Sequence, residues 1–165
     1  MFEKILSSID VSLKKRDIPY MIIGGQAVLL YGEPRLTRNI DITLKPLPKD
    51  LKSFVRQTMV LPSLDETTGI RVDFIFSFTP YETEAIKRAK KIKIMDREVN
   101  FASPEDLIIH KIFAGRARDI EDVRIVLLKN PDIDIQYIRN WLKQFDISSD
   151  EKKHLSTFEE VLKNK

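Results

Sequence analysis

Apolar positions along the chain recur at two periods, and the switches between them mark out its elements. Over residues 2–16, Ile5, Leu6, Ile9 and Leu13 return at helical spacing, which predicts an amphipathic helix packed against a sheet. Asp17, Ile18 and Pro19 break it. Tyr20 to Ile23 is an unbroken apolar run that reads as a strand and stops at Gly24 and Gly25. Gln26 to Tyr31 reads as a short helix ended by Gly32, Glu33 and Pro34. From Asn39 to Leu44 the period falls to two, so Asn39, Asp41 and Thr43 share one face of a strand and Ile40, Ile42 and Leu44 the other. A proline-punctuated loop over Lys45–Pro48 is expected next, then a helix over 49–58 with Leu51, Phe54 and Val55 inward, then a polar connector over Pro62–Gly69. Ile70 to Phe76 alternates again, with Arg71, Asp73 and Ile75 opposite Ile70, Val72, Phe74 and Phe76.

The second half is mostly helical by pattern. Tyr81–Lys91 predicts a helix ending in the run KRAKKIK, and Ile92–Met95 with Glu98–Phe101 predicts a hairpin turning at Asp96 and Arg97. Ser103 is a capping residue, Pro104 suits a first turn, and Glu105 and Asp106 suit the positive end of a helix running to Ala114. Leu107, Ile108, Ile109, Ile112, Phe113 and Ala114 leave that helix little polar surface, so it is expected to be largely buried. Beyond Gly115, a helix from Ala117 carries Ile120, Val123, Val126 and Leu127 as its stripe, with Asp119 and Asp122 together on one face. Two helices follow Pro131. Ile135, Ile138, Trp141, Leu142 and Phe145 pattern the first, and Leu155, Phe158, Val161 and Leu162 the second. Few strands among many helices make an α+β chain: a small mixed sheet flanked by helices over 1–101, and a helical subdomain over 102–165 packed on it, with its last two helices either covering the core or forming a dimer contact.

Composition narrows this picture only slightly. A length of 165 residues suits one domain, or a small core with an appendage. The net charge of +3 favours an anionic partner weakly. The absence of cysteine excludes disulfides and thiolate zinc sites, and His110 and His154 stand too far apart in sequence to suggest a histidine-based one. No apolar run is long enough to cross a membrane and no signal-peptide layout opens the chain, so a cytoplasmic protein is the expectation. The KRAKKIK run reads as a solvated face, with contact to a phosphate backbone as the alternative.

Candidate chemistry gathers between residues 20 and 44. Glycine lets the backbone turn sharply and approach a ligand closely, and free N–H groups at a helix start suit a phosphate. Gly24 and Gly25 meet both conditions. Asn39 and Asp41 then direct two metal-ligating side chains into one space. Asp73 lies inside an apolar strand, where an unpaired carboxylate is costly. An ion pair with Arg71 and a place in a metal site both answer that cost. Lys111 falls between Leu107 and Ile108 on its helix and must either snorkel to solvent or reach a polar cleft. Asp119 and Asp122 are explained equally by the helix dipole and by pairing with Arg116, Arg118 or Arg124.

This layout of glycine pair, spacer, a residue pair separated by one apolar position, and a further acid on another strand resembles the nucleotidyltransferase fold of the DNA polymerase beta superfamily. The run SPEDL, then Lys111, then Arg118-Asp119 with Asp122 three later, is similar to the AbiEii-type nucleotidyltransferase toxins and to minimal members of that group. The resemblance covers roughly residues 20 to 127. It implies that Gly24 and Gly25 hold phosphate with Arg35 and Thr37 at its edge. It implies that Asp41 and Asp73, with Asn39, hold Mg2+ or Mn2+, that Lys111 reaches the nucleotide, and that Asp119 and Asp122 line the cleft. The substrate implied is a nucleoside triphosphate. The acceptor is left open among RNA, a protein hydroxyl and a small molecule, and a toxin role implies an antitoxin partner. Where the family pattern has an acid, this chain has Asn39. Three functions therefore stand side by side: a metal-dependent nucleotidyltransferase that works with Asn39 or has it in place of a native aspartate; a degenerate relative that binds nucleotide or RNA without turnover; and an interaction module that shares only the fold.

Overall fold

The computed structural model describes residues 1–45, 57–77, 79–150 and 153–164. Two compact units emerge. The first comprises Met1–Gln26 and Leu36–Ser103, the second Ala27–Arg35 and Pro104–Lys165.

The first unit is built on a mixed sheet. In chain order its elements are α1 (Phe2–Lys14), β1 (Tyr20–Ile23), the opening residues of α2 (Gly24–Tyr31), β2 (Asn39–Leu44), β3 (Val60–Asp65), β4 (Ile70–Phe76), α3 (Pro80–Lys87), β5 (Lys90–Ile94) and β6 (Arg97–Phe101). Among the described residues the sheet has six strands in the order β3-β4-β2-β1-β6-β5. β1 runs antiparallel to β2 and parallel to β6, and β2 runs parallel to β4. Every residue of β1 is buried, as suits a central strand covered on both faces. Met21, Ile22, Ile40, Ile42 and Val99 are wholly inaccessible and form the core.

Three expectations for this unit need correction. The connector expected over Pro62–Gly69 is in large part strand, because β3 pairs antiparallel with β4 through Pro62 opposite Asp73. It is an outer strand, where a proline's missing N–H costs no ladder bond, and its half-exposed residues give no clean alternation. The helix expected over Tyr81–Lys91 begins one residue earlier and stops at Lys87. Thr79 accepts a hydrogen bond from the Glu82 N–H and Glu82 accepts one from the Thr79 N–H, a capping box that fixes its start. Lys90 and Lys91 then belong to β5, whose turn to β6 falls at Met95 and Asp96, with Met95 at φ 55°. In α1, the buried set is Ile5, Leu6, Asp10 and Leu13, with Asp10 in place of the expected Ile9. Its carboxylate accepts from the Tyr20 hydroxyl and from Lys14 at 2.7 Å. The helix expected over 49–58 falls largely on residues 46–56, outside the described residues.

The second unit is helical: the remainder of α2, then α4 (Pro104–Ala114), α5 (Ala117–Lys129), α6 (Ile135–Ser148) and α7 (His154–Lys163). α4 is buried along most of its length, though Phe113 is 63% exposed and Ala114 is exposed as well, against expectation. Ile120 is only half buried. The inward face of α5 is Asp119, Asp122, Val123, Val126 and Leu127. Asp134 caps α6 by accepting from the Tyr137 N–H at 2.9 Å. Asp146 plays the same part for α7, accepting from the backbone N–H of His154 and Leu155. The end of α2 is fastened to α5 by Asn130, which donates to the Tyr31 carbonyl, and by Lys129, which donates to that of Gly32.

Candidate functional site

The strand register of the first unit decides which polar side chains meet. β2 and β4 are parallel neighbours with Asn39 opposite Arg71, Asp41 opposite Asp73 and Thr43 opposite Ile75. Directly paired residues on adjacent strands point to the same face. Asn39, Arg71, Asp41 and Asp73 therefore form a two-by-two grid on one face of the sheet. Within it the Asn39 amide donates to Asp41 Oδ1 at 2.8 Å, and Arg71 Nε donates to Asp73 Oδ1 at 2.7 Å.

Gly24 closes one side of this grid. It opens α2 at φ 64°, and a Cβ there would collide with Oδ2 of Asp41. Its conformation and its space both require glycine. Gln26, buried in the first turn, donates to the Thr37 hydroxyl at 2.9 Å and so ties the start of α2 to the approach of β2. Gly25 is buried beside it. The first unit thus gathers Gly24, Gly25, Thr37, Asn39, Asp41 and Asp73 around the head of α2.

Electrostatics within the grid are those of a paired acid. The hydrogen bond from Arg71 to Asp73, together with the charges of Asp73 and Asp41, raises the guanidinium pKa above its ordinary value. Arg71 is nonetheless 61% exposed, whereas the Asp73 side chain is 10% exposed. Asp73 is therefore ion-paired with Arg71, the first of the two roles open to it in the sequence, and it also lies beside Asp41. Two carboxylates and one amide carbonyl on a common face suit a hard, oxygen-preferring cation. Among the described residues no group of three or more His, Cys, Asp or Glu side chains is disposed to hold a metal ion.

Arg35, Lys111, Asp119 and Asp122 belong to the second unit. Lys111 does not snorkel. Its ammonium is buried at 2.7 Å from Asp119 Oδ1 and 2.9 Å from Asp122 Oδ2. Arg116 Nε lies 2.6 Å from Asp119 Oδ2, and Arg35 reaches Asp122 at 3.3 Å. Three cations thus meet two carboxylates. Burial alone would raise the Asp119 carboxyl, but the hydrogen bonds from Arg116 and Lys111 outweigh it and hold that group below its ordinary pKa. Arg118 takes no part in these pairs, and Arg124 pairs with Glu121 instead.

Arg71 was visible in sequence only as a neutraliser of Asp73, although its two-residue spacing put it on the face of the acids. Gln26 carried no signal, since a glutamine in an apolar helix has no periodic mark.

The family model described as "Nucleotidyltransferase of unknown function (DUF6036)" matches residues 2–164 of the chain. No curated protein matches it. Among solved structures, an antigenic nucleotidyltransferase-like protein from Paracoccidioides brasiliensis is similar, with TM-score 0.51 and 16% identity over 94% of this chain and 92% of that one. The antibiotic-resistance factor ANT(2'')-Ia in solution gives TM-score 0.54 and 17% identity over 88% and 93% of the two chains. The same factor in complex with adenylyl-2''-tobramycin gives 0.51 and 20% over 84% and 95%. At these identities the likeness is one of fold.

Proposed function

The chain belongs to the nucleotidyltransferase family DUF6036, and from that premise we propose that it transfers a nucleoside monophosphate from a nucleoside triphosphate to a hydroxyl-bearing acceptor with the aid of a divalent cation. The observation that carries this reading is the pairing of Asp41 with Asp73, side by side on parallel strands, with the Gly24 bend against the Asp41 carboxylate.

In the reaction, the acceptor oxygen forms a bond to the α-phosphorus and loses its proton to solvent. The bond from that phosphorus to the oxygen bridging it to the β-phosphate breaks, and pyrophosphate leaves with the electron pair. A bound Mg2+ or Mn2+ supplies Lewis-acid polarisation of the phosphate oxygens. Asp41 and Asp73 would be the carboxylates to hold it, and the carbonyl of Asn39 would offer a neutral third oxygen. The backbone N–H groups that open α2 at Gly24 and Gly25 would donate to phosphate, and Thr37, held by Gln26, lies at the approach to β2. Lys111, Asp119, Asp122 and Arg35 enter this reading as a charge cluster of the second unit, with no step assigned to them.

The Asn39 amide supports a second reading, that of a non-transferring nucleotide or RNA binder. Its hydrogen bond to Asp41 Oδ1 occupies a lone pair that a metal would use. Toxin activity against RNA or protein, with an antitoxin partner, and modification of a small molecule are the acceptor classes to screen. Incubation with each labelled nucleoside triphosphate, Mg2+ or Mn2+, and total RNA, lysate protein or aminoglycosides is expected to label one acceptor, with loss of label on Asp41→Ala. Nucleotide-dependent thermal stabilisation without transfer under any condition would favour the binder.

A further inference from the structure

The charge of the grid differs from that of a site built for two divalent ions. Asp41 and Asp73 contribute two negative charges, Arg71 one positive, and Asn39 none, leaving a net charge of −1. Two divalent cations would bring +4 to those four side chains. One divalent cation with a triphosphate of about −4 instead leaves negative charge on the phosphates that a guanidinium can take up. Arg71 is the residue positioned to do so. It stands opposite Asn39, the uncharged member of the grid, in the register. Only its Nε is engaged, with Asp73, among the described residues. Most of the side chain is exposed, so the guanidinium is accessible to a planar pair of phosphate oxygens.

We propose that Arg71 is a triphosphate-binding residue, supplying from the protein the positive charge that a second divalent ion would otherwise bring. This rests on the proposed nucleotidyltransferase reading and names the residue that adapts that site to Asn39. In the ligand-free protein the same guanidinium neutralises Asp73. With cation and triphosphate bound, Asp73 would serve the cation, and Arg71 would be released to the phosphates. A solely structural Arg71 would instead serve Asp73 alone and be indifferent to how many phosphates a ligand carries.

The test uses the full chain with Mn2+ as the probe ion, and ATP, GTP, CTP and UTP beside the four corresponding monophosphates. Calorimetry gives affinities and electron paramagnetic resonance gives bound Mn2+ per chain. The wild type is expected to take up one Mn2+ with its preferred triphosphate, and Asn39→Asp to take up two. Arg71→Gln is expected to weaken triphosphate binding by about tenfold or more while changing monophosphate binding by less than about twofold. Arg71→Lys, which keeps the charge without the fork, should fall between. In the Asn39→Asp background the Arg71→Gln loss should shrink, because the second ion then carries the charge. Equal loss for tri- and monophosphates, or two Mn2+ already in the wild type, would overturn the inference and leave the proposed function standing. Absence of triphosphate binding to the wild type with Mn2+ would overturn both. Thermal unfolding of each variant confirms that the exposed substitution leaves the fold intact.

Discussion

Asp41 fills the space that a β-carbon on Gly24 would need. The glycine's positive φ and the carboxylate's close approach are one arrangement: the chain can turn into α2 at that point only because nothing projects from Cα, and Asp41 can lie against the turn for the same reason. The turn and the acid therefore report on each other, and a change at Gly24 is a change at the site.

Gly24→Ala is expected to destabilise the protein by about 3 kcal/mol, the sum of a left-handed backbone penalty and an overpacking penalty. Gly69→Ala is the control. Gly69 has φ 70° but open space around it, so it should cost about 1 kcal/mol from the backbone alone. Urea denaturation of the two variants measures the difference. Equal losses would mean that Asp41 yields freely and that the contact constrains nothing.

Lys111 is the shared cation of two buried carboxylates. Lys111→Met leaves Asp119 with Arg116 and Asp122 with Arg35, and removes a charge that touches both acids. Breaking a buried pair from one side costs about 3–5 kcal/mol, and a loss of that size is expected in equilibrium unfolding. The triple replacement Lys111→Met, Asp119→Asn, Asp122→Asn should recover much of it, since no uncompensated charge then remains. If the triple variant is no more stable than Lys111→Met, the penalty is one of shape and not of charge.

Acid should weaken the second unit in particular. Asp119, Asp146 and Glu159 all have carboxyl pKa values lowered in the folded protein. For Asp119 and Asp146 burial opposes the shift and hydrogen bonds outweigh it; for Glu159 the hydrogen bond from Arg139 is the main cause. A lowered folded pKa means that the unfolded chain binds protons first as pH falls. The stabilisation is then complete above the ordinary values, 3.8 for aspartate and 4.5 for glutamate, and is lost as pH drops through the lower folded values. Stability measured from pH 6 to pH 2.5 should be flat at first and then fall, with a shallower fall in Asp119→Asn. A decline already under way at pH 6 would mean that these three carboxylates do not set the acid limit.

Much of the sheet was legible because its key strands alternate. The faces of β2 and β4 followed from period two, and the meeting of Asp41 with Asp73 needed only the parallel pairing to be added. β3 was hidden because an outer strand with a proline and half-exposed side chains has no reason to alternate. The start of β5 was hidden because Lys90 and Lys91 continue the polar pattern of α3, and a helix end and an edge strand both favour exposed cations. The burial of Asp10, Asp119 and Asp122 was unreadable for a different reason. A buried acid is permitted by its partners, and Tyr20, Lys111 and Arg35 each lie more than one helical turn from the acids they meet, so no local spacing announces those pairings.

Asn39→Asp tests how far the grid tolerates a third carboxylate. The wild-type amide donates to Asp41, and an aspartate there replaces that bond with two like charges at hydrogen-bonding range. Arg71, opposite position 39 on β4, offsets part of the repulsion, and partial exposure screens more of it. A net loss of about 1 kcal/mol is expected without divalent ions. Adding Mn2+ should reverse the order, raising the melting temperature of Asn39→Asp above that of the wild type, because a cation that binds only the folded state stabilises in proportion to its affinity. The measurement is thermal unfolding with chelator and at rising Mn2+. If Mn2+ shifts both proteins equally, position 39 lies outside the cation's reach, and the two aspartates would have to hold it alone.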